Sequence, residues 1–254
     1  SPFSYCTGLT TLTLDGEDGI KGLGTTMFYG CTGLTEVTLK NMDTVAIQVF
    51  NGCTALKSVT IETVRTLETQ LFYGCTALED VTLDGVETIG ENAFLSCAGL
   101  KTVTMDNIGT IGKNAFASCK ALETVALGTV NTIGQYAFYN CTALKTVEMD
   151  KVNRIDQYAS WSCSSLETID SLSNVNESIG GFAFYGCSNL KGLSVADLTK
   201  MGYNGSVEMM DRIQAILAGK FQLDNAETIR ELSLDSGWDV GEVGQSANWN
   251  EYDN

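Results

Sequence analysis

The apolar positions of this chain recur with a fixed beat. From each leucine in the series Leu9, Leu34, Leu56, Leu78, Leu100, Leu122, Leu144, Leu166 and Leu190 the sequence reads L-x-x-V-x-L, for example Leu78-x-x-Val81-x-Leu83. Its second half alternates apolar and polar residues, which predicts a half-buried strand. Ahead of each leucine the best units read I-G-x-x-A-F-x-x-C. The apolar positions Ile89, Ala93, Phe94 and Cys97 have the spacing of one helical face, which predicts one or two turns of helix. Cysteines mark the beat. They stand at 6, 31, 53, 75, 97, 119, 141, 163 and 187, and from Cys31 to Cys163 every gap is 22 residues. A phenylalanine stands three residues before each cysteine, except where Ser160 breaks the column.

A 22-residue unit cannot bury its own apolar face, but stacked units build one continuous core. The predicted fold is therefore an α/β repeat solenoid, with parallel strands on the concave face and short helices or turns on the convex face. At a strand spacing of about 4.8 Å, nine coils extend roughly 40 Å.

The three successive stretches Ile89 to Met105, Ile111 to Leu127 and Ile133 to Met149 closely follow I-G-x-x-A-F-x-x-C-x-x-L-x-x-V-x-I. In this the chain resembles the BspA-like, or treponemal-type, leucine-rich repeat family over residues 1 to 196. Family members often carry proline after the strand and repeat nearer to 23 residues. Here the proline slot holds Asp15, Glu62, Asp84, Asp106 or Asp150. The resemblance implies a surface or secreted protein that engages extracellular matrix or other cells.

The beat also divides the chain. Pro2 to Cys6 is the back half of a coil, so the chain is expected to be a fragment with coils or targeting sequence upstream. After Val195 the period stops. A helix is predicted over 207–221, with Met209, Met210, Ile213, Ile216 and Leu217 on one face, and a degenerate strand over 230–235. Residues 197–235 are expected to cap the open end of the solenoid, which would otherwise expose core and strand edges. Residues 236–254 form an acidic tail. Three extra residues fall near Asp15 to Gly19 and two near Ser171 to Asn176. Trp161, beside Ser160, is expected to turn inward and fill the missing phenylalanine's place.

Composition narrows the function. The net charge is −16 and there is no histidine. Nucleic acid and anionic membranes both attract basic patches, so neither is an expected partner. No stretch is long and apolar enough to insert into a membrane. Without histidine there is no common base for a serine or cysteine nucleophile and no imidazole metal ligand. The cysteines lie in an apolar column where a thiolate is disfavoured, and equivalent positions at strand spacing sit too far apart for disulfides. Neither cofactor, metal nor catalytic residues are assigned. The acidic turn at Asp15 to Gly19 is the single place where calcium is considered; a solvated turn is favoured.

Two surfaces remain as candidates. Four residues after the cysteine the sign of charge alternates through Lys57, Glu79, Lys101, Glu123, Lys145, Glu167 and Lys191, which suits a cross-strand ladder that holds register. Threonines at Thr13, Thr38, Thr60, Thr82 and Thr104, beside the acids Asp84, Asp106 and Asp150, are expected to give the strand face a negative stripe able to steer a basic protein. Aromatic residues cluster at Tyr136, Tyr139, Tyr158, Trp161, Phe182 and Tyr185, as in interaction hot spots. They suit either docking of the C-terminal cap or a partner. The expected function is a non-enzymatic, adhesin-like protein-binding module, secreted or on the cell surface, with a structural spacer as the alternative. The sequence leaves the oligomeric state open.

Overall fold

A computed structural model describes residues 2–149, 151–169 and 172–191, with the single positions 197 and 200. The predicted cap helix, the strand over 230–235, the tail and Asp150 lie outside these residues.

The coils form a parallel-strand solenoid of about eight turns. The main strands are Thr11–Asp15, Glu36–Lys40, Ser58–Glu62, Asp80–Asp84 and Thr102–Met105, then Thr124–Ala126, Thr146–Glu148 and Thr168–Ile169. The first five pair each with the next, so Leu12, Val37, Val59, Val81 and Val103 share a rung column, and the last three pair likewise in a separate sheet. A second set of two-residue strands, too short to show in the apolar pattern, runs from Gly22–Leu23 and Thr44–Val45 to Thr66–Leu67, Thr88–Ile89, Thr110–Ile111, Thr132–Ile133, Arg154–Ile155 and Ser178–Ile179.

The expected short helices are absent from the described coils, and the arc before each cysteine is a chain of turns. Two residues per arc adopt left-handed backbone, such as Asn92 (φ 57°) and Ser96 (φ 64°), or Gln70 (φ 57°) and Gly74 (φ 70°). Alternate amides then point in different directions. Ala93, Leu95 and Cys97 donate to carbonyls three residues back, while Asn92, Phe94 and Ser96 donate to Lys113, Ala115 and Ala117 of the next coil. Spacing supplies the reason. Packed helices sit about 8–10 Å apart, twice the distance between strands. Flat turns stack at strand distance, and the ring centroids from Phe3 through Phe138 are 5.2–5.6 Å apart and nearly parallel.

Phenylalanine, cysteine, leucine and valine columns fill one continuous core. The cysteines do more than pack. Each thiol from Cys31 onward donates to the carbonyl of the residue in the phenylalanine column one coil back, at 3.0–3.2 Å. All nine cysteines are free. Burial pushes the thiols of Cys53 and Cys97 up to about 12 and those of Cys75, Cys119, Cys141 and Cys187 well above the ordinary range.

The irregular coils are turned to structural use. The first insertion forms a 3-10 turn, Gly16–Asp18, whose start is capped by Asp15 accepting from the Glu17 amide at 3.0 Å. Asp15 also accepts from Asn41 Nδ2 at 2.9 Å, and these bonds hold its carboxyl below the usual range. A Cβ at Gly16 would lie 1.8 Å from the Asn41 carbonyl oxygen, so the turn requires glycine. The second insertion forms the 3-10 turn Leu172–Asn174. Asp197 accepts from the Leu172 amide at 2.7 Å, and Lys200 donates to the Val175 carbonyl at 2.8 Å. Among the described residues no cluster of acidic and thiol side chains is arranged to hold a metal ion.

Candidate protein-interaction surfaces

On the turn arc, the position five residues before the cysteine points outward from left-handed backbone. In four successive coils it carries amides: Gln48 donates to Gln70, and Asn114 donates to Asn92 at 3.1 Å. In the last three coils it carries Tyr136, Tyr158 and Phe182, with φ of 56°, 59° and 55°. A bulky residue in this region is held against a cost of roughly 1–2 kcal/mol. What holds it is the ladder between coils, in which the Tyr158 amide donates to Gly181 at 3.1 Å.

All six predicted aromatic residues meet. Tyr136 stacks on Tyr158 at 4.9 Å, and Tyr158 lies parallel to Phe182 at 6.1 Å. Tyr139 meets Trp161 edge-on at 6.2 Å, and Trp161 meets Tyr185 edge-on at 5.4 Å. Trp161 is half-buried within this outer cluster, ringed by tyrosines, and does not take the inward role expected of it. Ser160 is itself buried and its carbonyl accepts the Cys187 thiol. Burial deepens along the cluster: Tyr136, Tyr139 and Trp161 are half-buried, whereas Tyr185, Tyr158 and Phe182 are 8%, 4% and 1% exposed. That burial raises the Tyr158 hydroxyl to about 12 and the Tyr185 hydroxyl above its ordinary value.

The main strand face presents the polar columns in register. Thr13, Thr38, Thr60, Thr82 and Thr104 form one row across five strands. Asp80, Thr82, Asp84, Thr102, Thr104 and Asp106 are exposed. The acidic stripe is not continuous as expected. Lys40 stands between Asp15 and Glu62 in register and pairs with Glu62 at 3.0 Å, so the first coils are locally neutralised. Asp84 and Asp106 form no ion pair among the described residues. The alternating ladder beside them resolves into discrete pairs: Lys101–Glu79 at 2.7 Å, Lys145–Glu123 at 2.9 Å and Lys191–Glu167 at 3.3 Å.

A repeating coil with a strand on one side, a buried leucine column and a turn arc on the other defines a leucine-rich repeat solenoid. The chain belongs to the family described as the BspA type leucine rich repeat region, whose model matches residues 1–123 and 87–205 in six copies. Among solved structures it is similar to the leucine rich repeat protein of T. pallidum, with 28% identity and a TM-score of 0.59 over 67% of this chain and 85% of that one. It also matches a leucine rich cell surface protein of Faecalibacterium prausnitzii, at 22% identity and a TM-score of 0.41 over 74% of this chain and 68% of that one. A leucine-rich repeat protein of Eubacterium ventriosum matches at 25% identity and a TM-score of 0.46, over 52% of this chain and 42% of that one. No curated protein matches the chain. Among the described residues no helix is long and apolar enough to cross a membrane.

Proposed function

We propose that the chain is a non-enzymatic, adhesin-like protein-binding module of a secreted or cell-surface protein. Its main strand face takes a basic protein surface, of the kind that extracellular matrix or a host cell presents. The observation that carries this is the exposed face on which Asp80 and Thr82 stand in register with Thr102 and Thr104, with the exposed acids Asp84 and Asp106 at the ends of those two segments. In-register columns hold short polar side chains in fixed places, so little ordering entropy is lost on binding. The family supports an interaction or structural role at the coarser level.

The test is capture of a basic matrix protein by the immobilised chain, compared with the double variant Asp84→Lys and Asp106→Lys. Binding that falls about tenfold or more in the variant, with unchanged thermal stability, supports the strand face. Equal binding by the variant removes it. A second reading, a spacer that holds another domain outward, rests on the uniformity of the buried columns; the chain would then retain no basic protein. The aromatic cluster is the second interaction surface or the seat of residues 197–235. Tyr139→Ala with Trp161→Ala separates these roles, since loss of stability without loss of binding assigns the cluster to the cap.

A further inference from the structure

Three successive coils share a stretch that the next coil loses all at once. They read Tyr29-Gly30-Cys31-Thr32, Asn51-Gly52-Cys53-Thr54 and Tyr73-Gly74-Cys75-Thr76, and the coil after them reads Leu95-Ser96-Cys97-Ala98. In each of the three, the threonine amide donates back to the glycine carbonyl at 2.9 Å, so the two residues sit side by side on the turn arc. Stacking turns the stretch into a trough that runs across the coils. Its floor is the backbone of Gly52 and Gly74. One wall is Tyr29, Asn51 and Tyr73, and the other is the exposed row Thr32, Thr54 and Thr76.

Left-handed backbone alone does not demand glycine here, since Ser96 and Ser118 hold φ of 64° and 59° at the same place. What the glycines leave is room. A Cβ on Gly74 would meet nothing within 4 Å, and one on Gly52 would meet only the Gly30 backbone, from 3.8 Å. Over Gly30 the room is filled by the ring of Tyr5, which a Cβ there would approach to 2.7 Å. The same ring meets Tyr29 edge-on at 5.5 Å. Tyr5 thus shows that a six-membered ring fits over a glycine of this row and against the aromatic wall. Among the described residues none takes that place over Gly52 or Gly74.

The wall has hydrogen-bonding capacity to spare. Asn51 is 8% exposed, yet neither end of its side-chain amide has a hydrogen-bond partner among the described residues. Buried amides ordinarily have one. Asn51 stands between Tyr29 and Tyr73, which lie two coil spacings, about 10 Å, apart. Tyr73 makes no ring contact and its hydroxyl no hydrogen bond among the described residues, so packing alone holds it beside Asn51, and its turning opens the amide to the trough. From Gln48 to Leu56 and from Gln70 to Leu78 there is no charged residue, in a chain of net charge −16.

We propose that the trough binds a neutral, extended glycan, with one sugar ring over Gly52 and the next over Gly74. Sugar hydroxyls both donate and accept, and the threonine and tyrosine hydroxyls and the Asn51 side chain offer both in return. The apolar C–H faces of the sugar rings lie against the tyrosine rings. A proline-rich peptide, the other neutral occupant of aromatic-lined grooves, brings acceptors without donors and leaves the Asn51 carbonyl unanswered. The trough lies on the turn arc and does not rest on the reading of the main strand face.

The probe is cellotetraose, a neutral and extended chain of four sugars, titrated into the full chain while the backbone amide signals are followed by nuclear magnetic resonance. We expect saturable binding with the largest shifts at Gly52 and Gly74. Asn51→Ala is the deciding variant. Alanine already stands buried in this column at Ala117, so the fold accepts it, and removing an unmet amide leaves the melting temperature unchanged or higher. Binding should nevertheless fall about tenfold, the worth of one hydrogen bond. Tyr73→Leu with Thr76→Ala copies the side chains of the next coil and should weaken binding by about the same factor or more. Asp84→Lys with Asp106→Lys leaves it unchanged, which separates the trough from the strand face. No saturable binding of cellotetraose, shifts that avoid Gly52 and Gly74, undiminished binding by Asn51→Ala, or binding of a capped proline decapeptide in place of the sugar overturns the proposal.

Discussion

The thiol of Cys97 shows how much one side chain does here. Its apolar bulk packs in the core, and its S–H answers the Phe72 carbonyl at 3.1 Å. That carbonyl also accepts the Cys75 amide three residues on, so both of its lone pairs are used. Cys97→Ala leaves a small void and an under-satisfied carbonyl, and is expected to cost about 1–2 kcal/mol in denaturant unfolding. The thiol's pKa, raised by burial to about 12, sets the sign of a pH effect. The folded state favours the neutral thiol, so its contribution is complete below the unfolded-state value and is lost as pH rises through the folded one. Native-state alkylation should therefore modify half-buried Cys6 first and reach the other eight at the rate of unfolding. Fast labelling of all nine in the folded protein would contradict the buried ladder. The sequence pointed to the packing role, because a column of cysteine beside phenylalanine and leucine is a hydrophobic signal. The donor role was not legible, because it depends on where a neighbouring coil's carbonyl points.

At the level of the element, the turn arc was the main misreading, and its cause is instructive. Ile89, Ala93, Phe94 and Cys97 lie at helical spacing, yet a sequence of turns also returns its inward positions every three to four residues. The deciding signals were local. Gly30, Gly52, Gly74 and Gly186 stand immediately before the cysteine, where Ser96, Ser118, Asn140 and Ser162 stand in other coils, and every one has positive φ. Small and amide-bearing residues at a fixed position mark left-handed backbone, which an α-helix interior does not contain. This position makes a direct test. A Cβ at Gly74 meets nothing within 4 Å, so Gly74→Ala changes backbone strain with no clash, and should destabilise by about 1–2 kcal/mol. Ser96→Gly removes the same strain and is expected to stabilise the fold, or to leave it level once the flexibility of the unfolded chain is counted. If Gly74→Ala were neutral in calorimetry, the left-handed arc would be wrong.

Across the whole molecule, repetition turns each local choice into a column, and the columns decide what is legible. The aromatic cluster was visible because its six residues occupy two adjacent columns in three successive coils. The acidic stripe was overstated because Lys40 belongs to the same column, and its pairing with Glu62 emerges only from register. Charge acts on folding and on binding with opposite signs. With 31 acidic against 15 basic residues, self-repulsion opposes the compact state, while each exposed ion pair adds little. Added salt should therefore raise the melting temperature even though it weakens Lys101–Glu79 and Lys145–Glu123. Those two lysines hold Glu79 and Glu123 below the ordinary carboxylate range, and Asn41 does the same for Asp15. Depressed carboxyl values mean stability that is present above the unfolded-state value and disappears as pH falls through the folded one, so acidification should soften the solenoid in Glu79→Gln less than in the parent chain. Binding of a basic protein at the strand face carries the reverse salt dependence, because the attraction between unlike charges is screened within about 8–10 Å at physiological ionic strength. One titration with sodium chloride, following melting and capture together, is expected to show stability rising while capture falls. Capture that persists undiminished at high salt would mean that the acidic face is not what holds the partner.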